Sequence, residues 1–334
     1  MRMKDTLKYR NIWLGCAMLW IVLYHANFSL PISLFGYFKG MGYGGVDICL
    51  FASGIGCYYS LENNSDILEF VKRRLKRLVP TYWCFLVLWF ICKAFMGKFE
   101  VSAILGNILG VQSFTGQGNE FNWYISALIL LYLLAPFLKN MVDRITKKYQ
   151  FVLIMMVLLA ISVAYWDADK FIIIMIRLPV FCLGMIYARF CRDGKELEKK
   201  SMFMLILATI IGVGIYFFFR FSFEDYLWKF GLYWYPFILI TPGMCVVISI
   251  FMYKYEKYQW CMWLQKKLNM IGSYSFEIYL VHLLVFEITT YLIEVMHIIP
   301  NTNVTWIVSV AVVAMGCIIL KRIVKKIVSG MVMR

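Results

Sequence analysis

Charged side chains are scarce in this sequence. Asp, Glu, Lys and Arg make up 16% of its 334 residues, against roughly 25% in an ordinary soluble domain. Apolar side chains reach 62% and the mean hydropathy is +0.72. This composition excludes a soluble globular enzyme, a disordered chain and a small disulfide scaffold, because the apolar surface far exceeds what an aqueous fold of this size can bury.

Paired cysteine motifs are missing as well. The ten cysteines include no C-x-x-C pair, and most of them lie within apolar runs. Structural zinc sites and dithiol redox sites usually depend on such pairs. We therefore expect no metal ion and no redox site.

Long apolar runs are what the sequence does contain. A membrane-spanning helix needs about 20 mostly apolar residues. Ten segments fit this requirement, to within a few residues at either end: 12–28, 45–61, 81–97, 121–138, 150–166, 171–190, 202–221, 231–252, 272–293 and 304–324. The stretch 99–114 is short and glycine-broken, which favours an interfacial or re-entrant piece. The sequence thus predicts an all-α polytopic membrane protein, with about ten transmembrane helices forming a single membrane-embedded domain over residues 1–334.

Lysine and arginine predict the orientation of these helices. With ten spans both termini lie on one side, and that side would hold 27 of the 34 lysines and arginines. Positive loops stay in the cytoplasm. We therefore predict cytoplasmic N- and C-termini, and the net charge of +15 needs no nucleic-acid partner to explain it.

Ionisable residues inside the spans mark the candidate site. Such a side chain near the bilayer centre costs at least about 2.5–3.5 kcal/mol on insertion scales, so each needs a partner or a function. His25, Asp47, Arg177 and His282 come from four different spans. They would converge on the outer half of the bundle if their faces turn inward.

Each of these residues also has a purely structural interpretation. Asp47 can orient His25, or it can form a buried ion pair with Arg177. His282 can equally be a hydrogen-bonded contact between helices. Glu277 and Glu287 lie about 140° round the helix from His282, so we predict that both face elsewhere.

A basic run, residues 72–77, precedes the third predicted span, within a predicted cytoplasmic loop over 62–80. Anchoring against anionic lipid head groups suffices to explain it. A phosphate site is the alternative, because Arg73 and Arg77 are one helical turn apart.

Several stretches together resemble the acyltransferase-3 family of bacterial integral-membrane acyltransferases. The most specific is Phe70 to Tyr82, which matches the pattern F-x-x-R-R-x-x-R-[IL]-x-P-x-Y. The other stretches are Trp20 to His25, Tyr43 to Asp47, Ser53-Gly54, Asn122 to Tyr124, Arg177 to Gly184 and Gly272 to His282. Together they run from about residue 10 to residue 290.

The resemblance implies an O-acyltransferase that moves an acyl group, usually acetyl, from cytoplasmic acetyl-CoA to an extracytoplasmic glycan. The enzyme would lie in the bacterial cytoplasmic membrane, with acyl-CoA, the glycan acceptor and the lipid bilayer as its partners. The family's presumed catalytic histidine corresponds to His25. The family arginine that precedes this histidine by eleven residues is replaced here by Leu14, and Arg10 lies one turn earlier.

For other residues of the candidate site, the resemblance implies only that Arg73, Arg74 and Arg77 handle the donor, and the chemistry of acyl transfer suggests the remaining roles. Asp47 would fix the tautomer of the catalytic imidazole. An oxyanion or acceptor site would draw on Arg177, His282 and Trp123. The anionic donor would be bound by Arg73, Arg74, Arg77 and Arg10.

Two other functions are compatible with ten spans and buried charges. One is a transporter or flippase of glycan or lipid intermediates, although the matched helix breaks typical of such proteins are not evident. The other is an inactive relative retained as a scaffold, for which Leu14 is the only hint.

Overall fold

Helices make up the regular secondary structure of this protein. The computed structural model describes residues 2–27, 31–114, 121–164, 173–224, 231–297 and 302–332. Its α-helices are α1 (Met3–Thr6), α2 (Arg10–His25), α3 (Ser33–Gly40), α4 (Gly45–Asn63), α5 (Ile67–Phe95), α6 (Ala103–Ile108), α7 (Asn122–Asp143), α8 (Lys148–Ala164), α9 (Leu178–Arg192), α10 (Lys199–Ser222), α11 (Phe237–Tyr255), α12 (Gln259–Ser273), α13 (Ser275–Met296) and α14 (Thr302–Val332). Within the described residues, the prediction of an all-α protein is confirmed.

In the part of the chain that the structure describes, seven helical segments are long and apolar enough to cross a membrane. They are Ile67–Phe95, Asn122–Asp143, Ile173–Arg192, Lys199–Ser222, Phe237–Tyr255, Ser275–Met296 and Asn303–Ser329. The protein is therefore a multi-pass membrane protein. The count of ten spans and the orientation of the termini stay predictions.

The other three predicted spans coincide with helices that are shorter or more polar. The span at 12–28 falls on α2, whose 16 residues reach about 24 Å, less than the roughly 30 Å of the hydrocarbon core. The span at 45–61 falls on α4, which carries Asp47 and Glu62. The span at 150–166 falls on α8. A few residues of the predicted spans lie outside the described residues. They are 165–166 of the span at 150–166, residue 28 of the first span and residues 171–172 of the sixth.

Two predicted loops are helical instead. The basic run 72–77 belongs to α5, which begins at Ile67 and continues past Pro80 to Phe95. A proline inside a transmembrane helix is tolerated because neighbouring groups satisfy the freed carbonyl. Likewise α12 occupies most of the predicted loop 253–271. The basic side chains of residues 72–77 are thus held on a helix.

The stretch 99–114 forms a short broken helix, as its glycines predict. It contains α6 and a 3₁₀ turn at Gln112–Phe114. Its backbone carbonyls accept hydrogen bonds from the Tyr82 hydroxyl and the Ser126 hydroxyl, each at 2.7 Å. These side chains come from α5 and α7 and satisfy carbonyls that a short helix leaves open.

The described chain divides into two compact units. The first comprises Met1–Ala17, Gly44–Phe70 and Ala127–Gly272, and the second comprises Met18–Tyr43, Val71–Ser126 and Ser273–Arg334. All ten cysteines are free thiols in this structure.

Close helix packing through glycine organises the first unit. Gly54 of α4 faces the backbone carbonyl of Phe181 on α9, and Gly184 of α9 faces the carbonyl of Phe51 on α4. A methyl group at either glycine would overlap the facing oxygen. In a membrane the hydrophobic effect does not drive helices together, because lipid is as apolar as the side chains. Small residues promote helix association there by letting two backbones approach closely. The two glycines therefore fix the α4–α9 contact.

Replacing Gly54 with alanine is expected to destabilise the protein by about 1–3 kcal/mol, the usual cost of overpacking. The matched control is Gly214→Ala on α10, because a methyl group there meets open space. Thermal unfolding of the purified protein in lipid nanodiscs measures both variants. We expect a lower melting temperature for Gly54→Ala alone. Equal melting temperatures for the two variants would show that the helix contact tolerates a side chain.

A charged network closes one end of the first unit. Lys139 of α7 bridges Glu62 of α4 at 2.8 Å and Asp143 at 2.6 Å. Arg192 of α9 also reaches Glu62, at 3.1 Å, and the Tyr58 hydroxyl donates to Asp143 at 2.7 Å. Three helices are therefore tied together at the end that the basic residues predict to be cytoplasmic.

Helices α13 and α14 pack together in the second unit. The Thr289 and Ser309 hydroxyls hydrogen-bond at 2.9 Å. The rings of Phe286 and Trp306 meet edge to face with centroids 5.0 Å apart. Helix α3 belongs to the same unit, where Phe38 stacks on Trp20. This unit holds α13, the helix that carries His282.

Candidate functional site

Two histidines from different helices meet in the second unit. His25 is the last residue of α2, and His282 lies near the middle of α13. Nε2 of His282 lies 3.3 Å from Nδ1 of His25, and the ring centroids are 5.1 Å apart. The His282 side chain is fully buried, whereas His25 is exposed. A substrate can therefore reach the His25 ring, and His282 supports it from behind.

The surrounding carbonyls determine how the two rings share protons. Nδ1 of His282 lies 2.8 Å from the carbonyl oxygen of Ile278, so this nitrogen must carry the hydrogen. Nε2 of His282 is then a lone-pair acceptor. Nδ1 of His25 lies 3.0 Å from the carbonyl oxygen of Ile21 and must also be the donor, shared between that oxygen and His282.

This arrangement leaves Nε2 of His25 as its basic atom. Within the described residues, the hydrogen bonds of the His25 ring are made by Nδ1 alone. The lone pair on Nε2 is therefore available to accept a proton from a bound molecule. The resulting imidazolium keeps both acceptors for its Nδ1–H, and these stabilise the charge.

Aromatic rings surround the histidine pair. Tyr24 meets His25 edge to face at 4.8 Å, and Tyr279 contacts His282 at 5.9 Å. Tyr124 of α7 packs on Tyr279 at 4.4 Å, and half-buried Trp123 packs in turn on Tyr124 at 5.8 Å. Trp123 is thus linked to His282 through two intervening rings.

Asp47 and Arg177 form an ion pair in the first unit. Nε of Arg177 lies 3.7 Å from a carboxylate oxygen of Asp47, and the two side chains are 2% and 1% exposed. Asp47 lies in the first turn of α4, and Arg177 immediately precedes α9. The guanidinium also donates to the carbonyl of Ile173 at 3.0 Å and lies over the ring of Trp234 at 5.1 Å.

The structural interpretation of Asp47 and Arg177 is therefore the one their contacts support. A buried guanidinium that lies over an aromatic ring and faces a carboxylate forms a structural ion pair, although within the described residues neither carboxylate oxygen of Asp47 has a hydrogen-bond partner. The alternative partner for Asp47, His25, belongs to the other unit. A role for Asp47 in orienting His25 stays a prediction.

The predicted donor-binding arginines lie on two helices. Arg73, Arg74 and Arg77 are on α5, where Arg74 is buried, Arg73 is half-buried and Arg77 is exposed. Arg10 begins α2 in the first unit, and its Nε donates to the carbonyl of Ala52 at 3.2 Å. Leu14, one turn further along α2, is half-buried.

The two glutamates of α13 pair with lysines, and the prediction that they face away from His282 stays a prediction. Glu277 lies 3.9 Å from Nζ of Lys321 on α14. Glu287 accepts a hydrogen bond of 2.5 Å from Nζ of Lys93 on α5. Sequence reasoning missed the second pair. The only available signal was the position of the two residues in their predicted spans. Lys93 lies near the outer end of the span at 81–97, and Glu287 lies in the outer half of the span at 272–293.

A comparison with known protein families gives one match. The family model Acyl_transf_3, described as an acyltransferase domain, matches residues 12–322, which is nearly the whole chain. No curated protein and no solved structure matches the chain.

Proposed function

Because the chain belongs to the acyltransferase-3 family, we propose that it transfers an acyl group, acetyl in the simplest case, from cytoplasmic acyl-CoA to a hydroxyl of an extracytoplasmic glycan. The observation that carries the proposal is the histidine pair. Within the described residues, it leaves Nε2 of His25 free to take a proton, and it buries the ring that holds that imidazole in place. The proposed location is the bacterial cytoplasmic membrane.

His25 is the general base of the proposed reaction. Its Nε2 removes the proton from the acceptor hydroxyl as the oxygen attacks the thioester carbonyl carbon. The tetrahedral intermediate then collapses, the carbon–sulfur bond breaks, and the imidazolium returns the proton to the departing thiolate. The products are an acyl ester and free CoA, so the histidine is regenerated unchanged.

His282 is the positioning residue for this base. Its Nε2 accepts from Nδ1–H of His25, which is the part that a carboxylate plays in a Ser-His-Asp triad. A neutral acceptor suits this position, because the His282 ring is fully buried and a carboxylate there would be costly to desolvate.

The arginines of α5 supply the proposed donor site. Arg73 and Arg77 are one turn apart, and guanidinium groups recognise phosphate by paired, charge-assisted hydrogen bonds. This cationic helix end binds the phosphates of acyl-CoA and leaves the narrow pantetheine arm to carry the thioester inward. Arg10 is proposed as a further donor contact, and Trp123 as an acceptor contact.

The test is a measurement of CoA release by the purified protein in lipid nanodiscs. Acetyl-CoA is supplied with the surface glycan fraction of the host, and free CoA is quantified by chromatography. A thiol dye is unsuitable because the protein's partly exposed free cysteines, Cys16, Cys84 and Cys92, would compete with CoA for it. We expect CoA release that depends on the glycan, together with acetyl ester on the glycan.

Reactions without glycan and reactions with CoA in place of acetyl-CoA are the controls. Glycan movement across proteoliposomes without any CoA release would instead indicate a transporter. Neither movement nor release with the correct glycan would favour a scaffold. Either outcome contradicts the proposal.

A further inference from the structure

A cavity lies beside the helix that carries His282. It has a volume of about 280 Å³ and lies within the second unit. Its lining residues are Trp89, Lys93, Lys98, Phe121, Leu283, Leu284 and Glu287. The cavity combines two aromatic rings with three charged groups, a mixture that a helix surface facing only lipid would not retain.

The charged wall is built by a defined turn. Helix α5 ends at Phe95, and two residues later Gly97 has a φ of +68°, the left-handed conformation that glycine adopts readily. The Lys98 amide donates to the carbonyl of Lys93, and the Gly97 amide donates to that of Ala94. This Schellman motif reverses the chain. Lys98 thereby joins Lys93 at the same carboxylate of Glu287, at 3.7 Å and 2.5 Å.

The aromatic wall leads from the cavity to the histidine pair. The carbonyl of Phe121 accepts a hydrogen bond of 3.3 Å from the Tyr279 hydroxyl, and the Tyr279 ring contacts His282. Leu283, which also lines the cavity, directly follows His282 in α13. The cavity is therefore adjacent to the proposed catalytic histidines through two independent connections.

We propose that this cavity is the acceptor subsite and that it binds one sugar ring of the glycan. The inference rests on the proposed function and identifies its acceptor class as a pyranoside. The C–H face of such a ring packs on the rings of Trp89 and Phe121. Its hydroxyls hydrogen-bond to Glu287 and Lys98, which supply charged acceptors and donors. A volume of about 280 Å³ suits one ring, because ligand pockets begin at roughly this size.

The position of the cavity agrees with an acceptor that arrives from outside. Lys93, Lys98 and Glu287 lie toward the ends of α5 and α13 that the basic residues predict to be extracytoplasmic. The half-exposed side chain of Lys98 and the 26% exposure of Glu287 leave polar atoms open to an entering ligand. By contrast, Trp89 and Phe121 are buried and already in place.

Direct binding of simple glycosides tests the subsite without requiring turnover. Methyl glycosides of glucose, galactose, mannose, rhamnose and N-acetylglucosamine are added to the full protein in nanodiscs, and saturation-transfer NMR reports their contacts. We expect at least one glycoside to bind wild-type protein. Glu287→Gln and Lys98→Gln should each weaken that binding by about tenfold, the typical effect of losing a charge-assisted hydrogen bond.

Two further variants separate the subsite from folding and from catalysis. The matched control is Glu256→Gln in the other unit. It removes a similar but exposed ion pair, in which Glu256 lies 3.0 Å from Lys8. Glycoside binding should be unchanged there. His25→Ala should bind the glycoside normally although it cannot transfer an acyl group. Lys98 is more than half exposed, so Lys98→Gln keeps the test valid if Glu287→Gln misfolds.

The subsite is refuted if no glycoside binds the wild-type protein, or if Glu287→Gln and Lys98→Gln bind as tightly as Glu256→Gln. Failure of the proposed function has a different signature. In that case glycosides bind with the expected sensitivity to Glu287 and Lys98, but acetyl-CoA releases no CoA.

Discussion

Replacing His25 with alanine is expected to lower the rate of acyl transfer by roughly a thousandfold, within the range for loss of a general base. The substitution removes the nitrogen that accepts the hydroxyl proton, while the exposed position of the side chain leaves the packing of the fold intact. Transfer is measured as labelled acetyl ester formed on the glycan by folded, membrane-inserted protein. The KM for acetyl-CoA should change little, since the donor is bound elsewhere.

The matched control is another exposed histidine of the second unit. His297 follows α13 and has a φ of +50°, a conformation that asparagine tolerates better than alanine does. We expect His297→Asn to transfer at the wild-type rate. Undiminished transfer by His25→Ala would remove this residue from the mechanism.

Substitutions of His282 distinguish positioning from simple packing. Glutamine can still accept a hydrogen bond from Nδ1–H of His25, whereas leucine cannot. We expect His282→Leu to lower kcat at least about tenfold more than His282→Gln does, at equal protein stability. Equal kcat values for the two variants would mean that the ring only fills space.

Replacing Asp47 with alanine is expected to destabilise the protein by about 3–5 kcal/mol, because the guanidinium of Arg177 would stay buried without its counter-charge. The effect should appear as a lower melting temperature and less folded protein in gel filtration. It is the largest stability effect that we expect of any single substitution here.

A double-mutant cycle identifies the cause of that loss. Arg177→Met removes the charge and keeps an apolar stem, so Asp47→Ala with Arg177→Met should be less destabilised than the sum of the two single variants. Strictly additive losses would contradict a buried pair. If the double variant folds and still transfers acetyl groups, Asp47 is not required to orient His25.

The predictions for His25 and Asp47 show how far the residues of the site could be foreseen from the sequence. The cost of burying charge is enough to select His25, Asp47, Arg177 and His282 from an apolar sequence. It does not say which of them pair. Hydropathy cannot report how far each helix is rotated about its axis, and the contact between His25 and His282 depends on that rotation.

The cavity beside Glu287 illustrates the same limit more strongly. Lys93 and Glu287 are 194 positions apart in the chain. Each alone is an ordinary charge near a predicted membrane surface. Only the turn at Gly97 and the side-chain contact between α5 and α13 bring Lys93, Lys98 and Glu287 together.

The sequence by itself determined the broad class of the protein. Its apolar runs require helices in a membrane, because an unpaired backbone amide in lipid costs several kcal/mol and a helix satisfies it locally. Its motifs also point to the family that the full-length match confirms. Both properties are local, so they can be read from consecutive residues.

Only the tertiary structure decided which side chains work together. The pairing of His25 with His282 and the burial of Asp47 against Arg177 both depend on contacts between distant segments. Lipid surrounds every apolar face equally well, so apolarity does not select one helix rotation over another. That selection comes from close packing at glycines and from the few polar groups that must find partners.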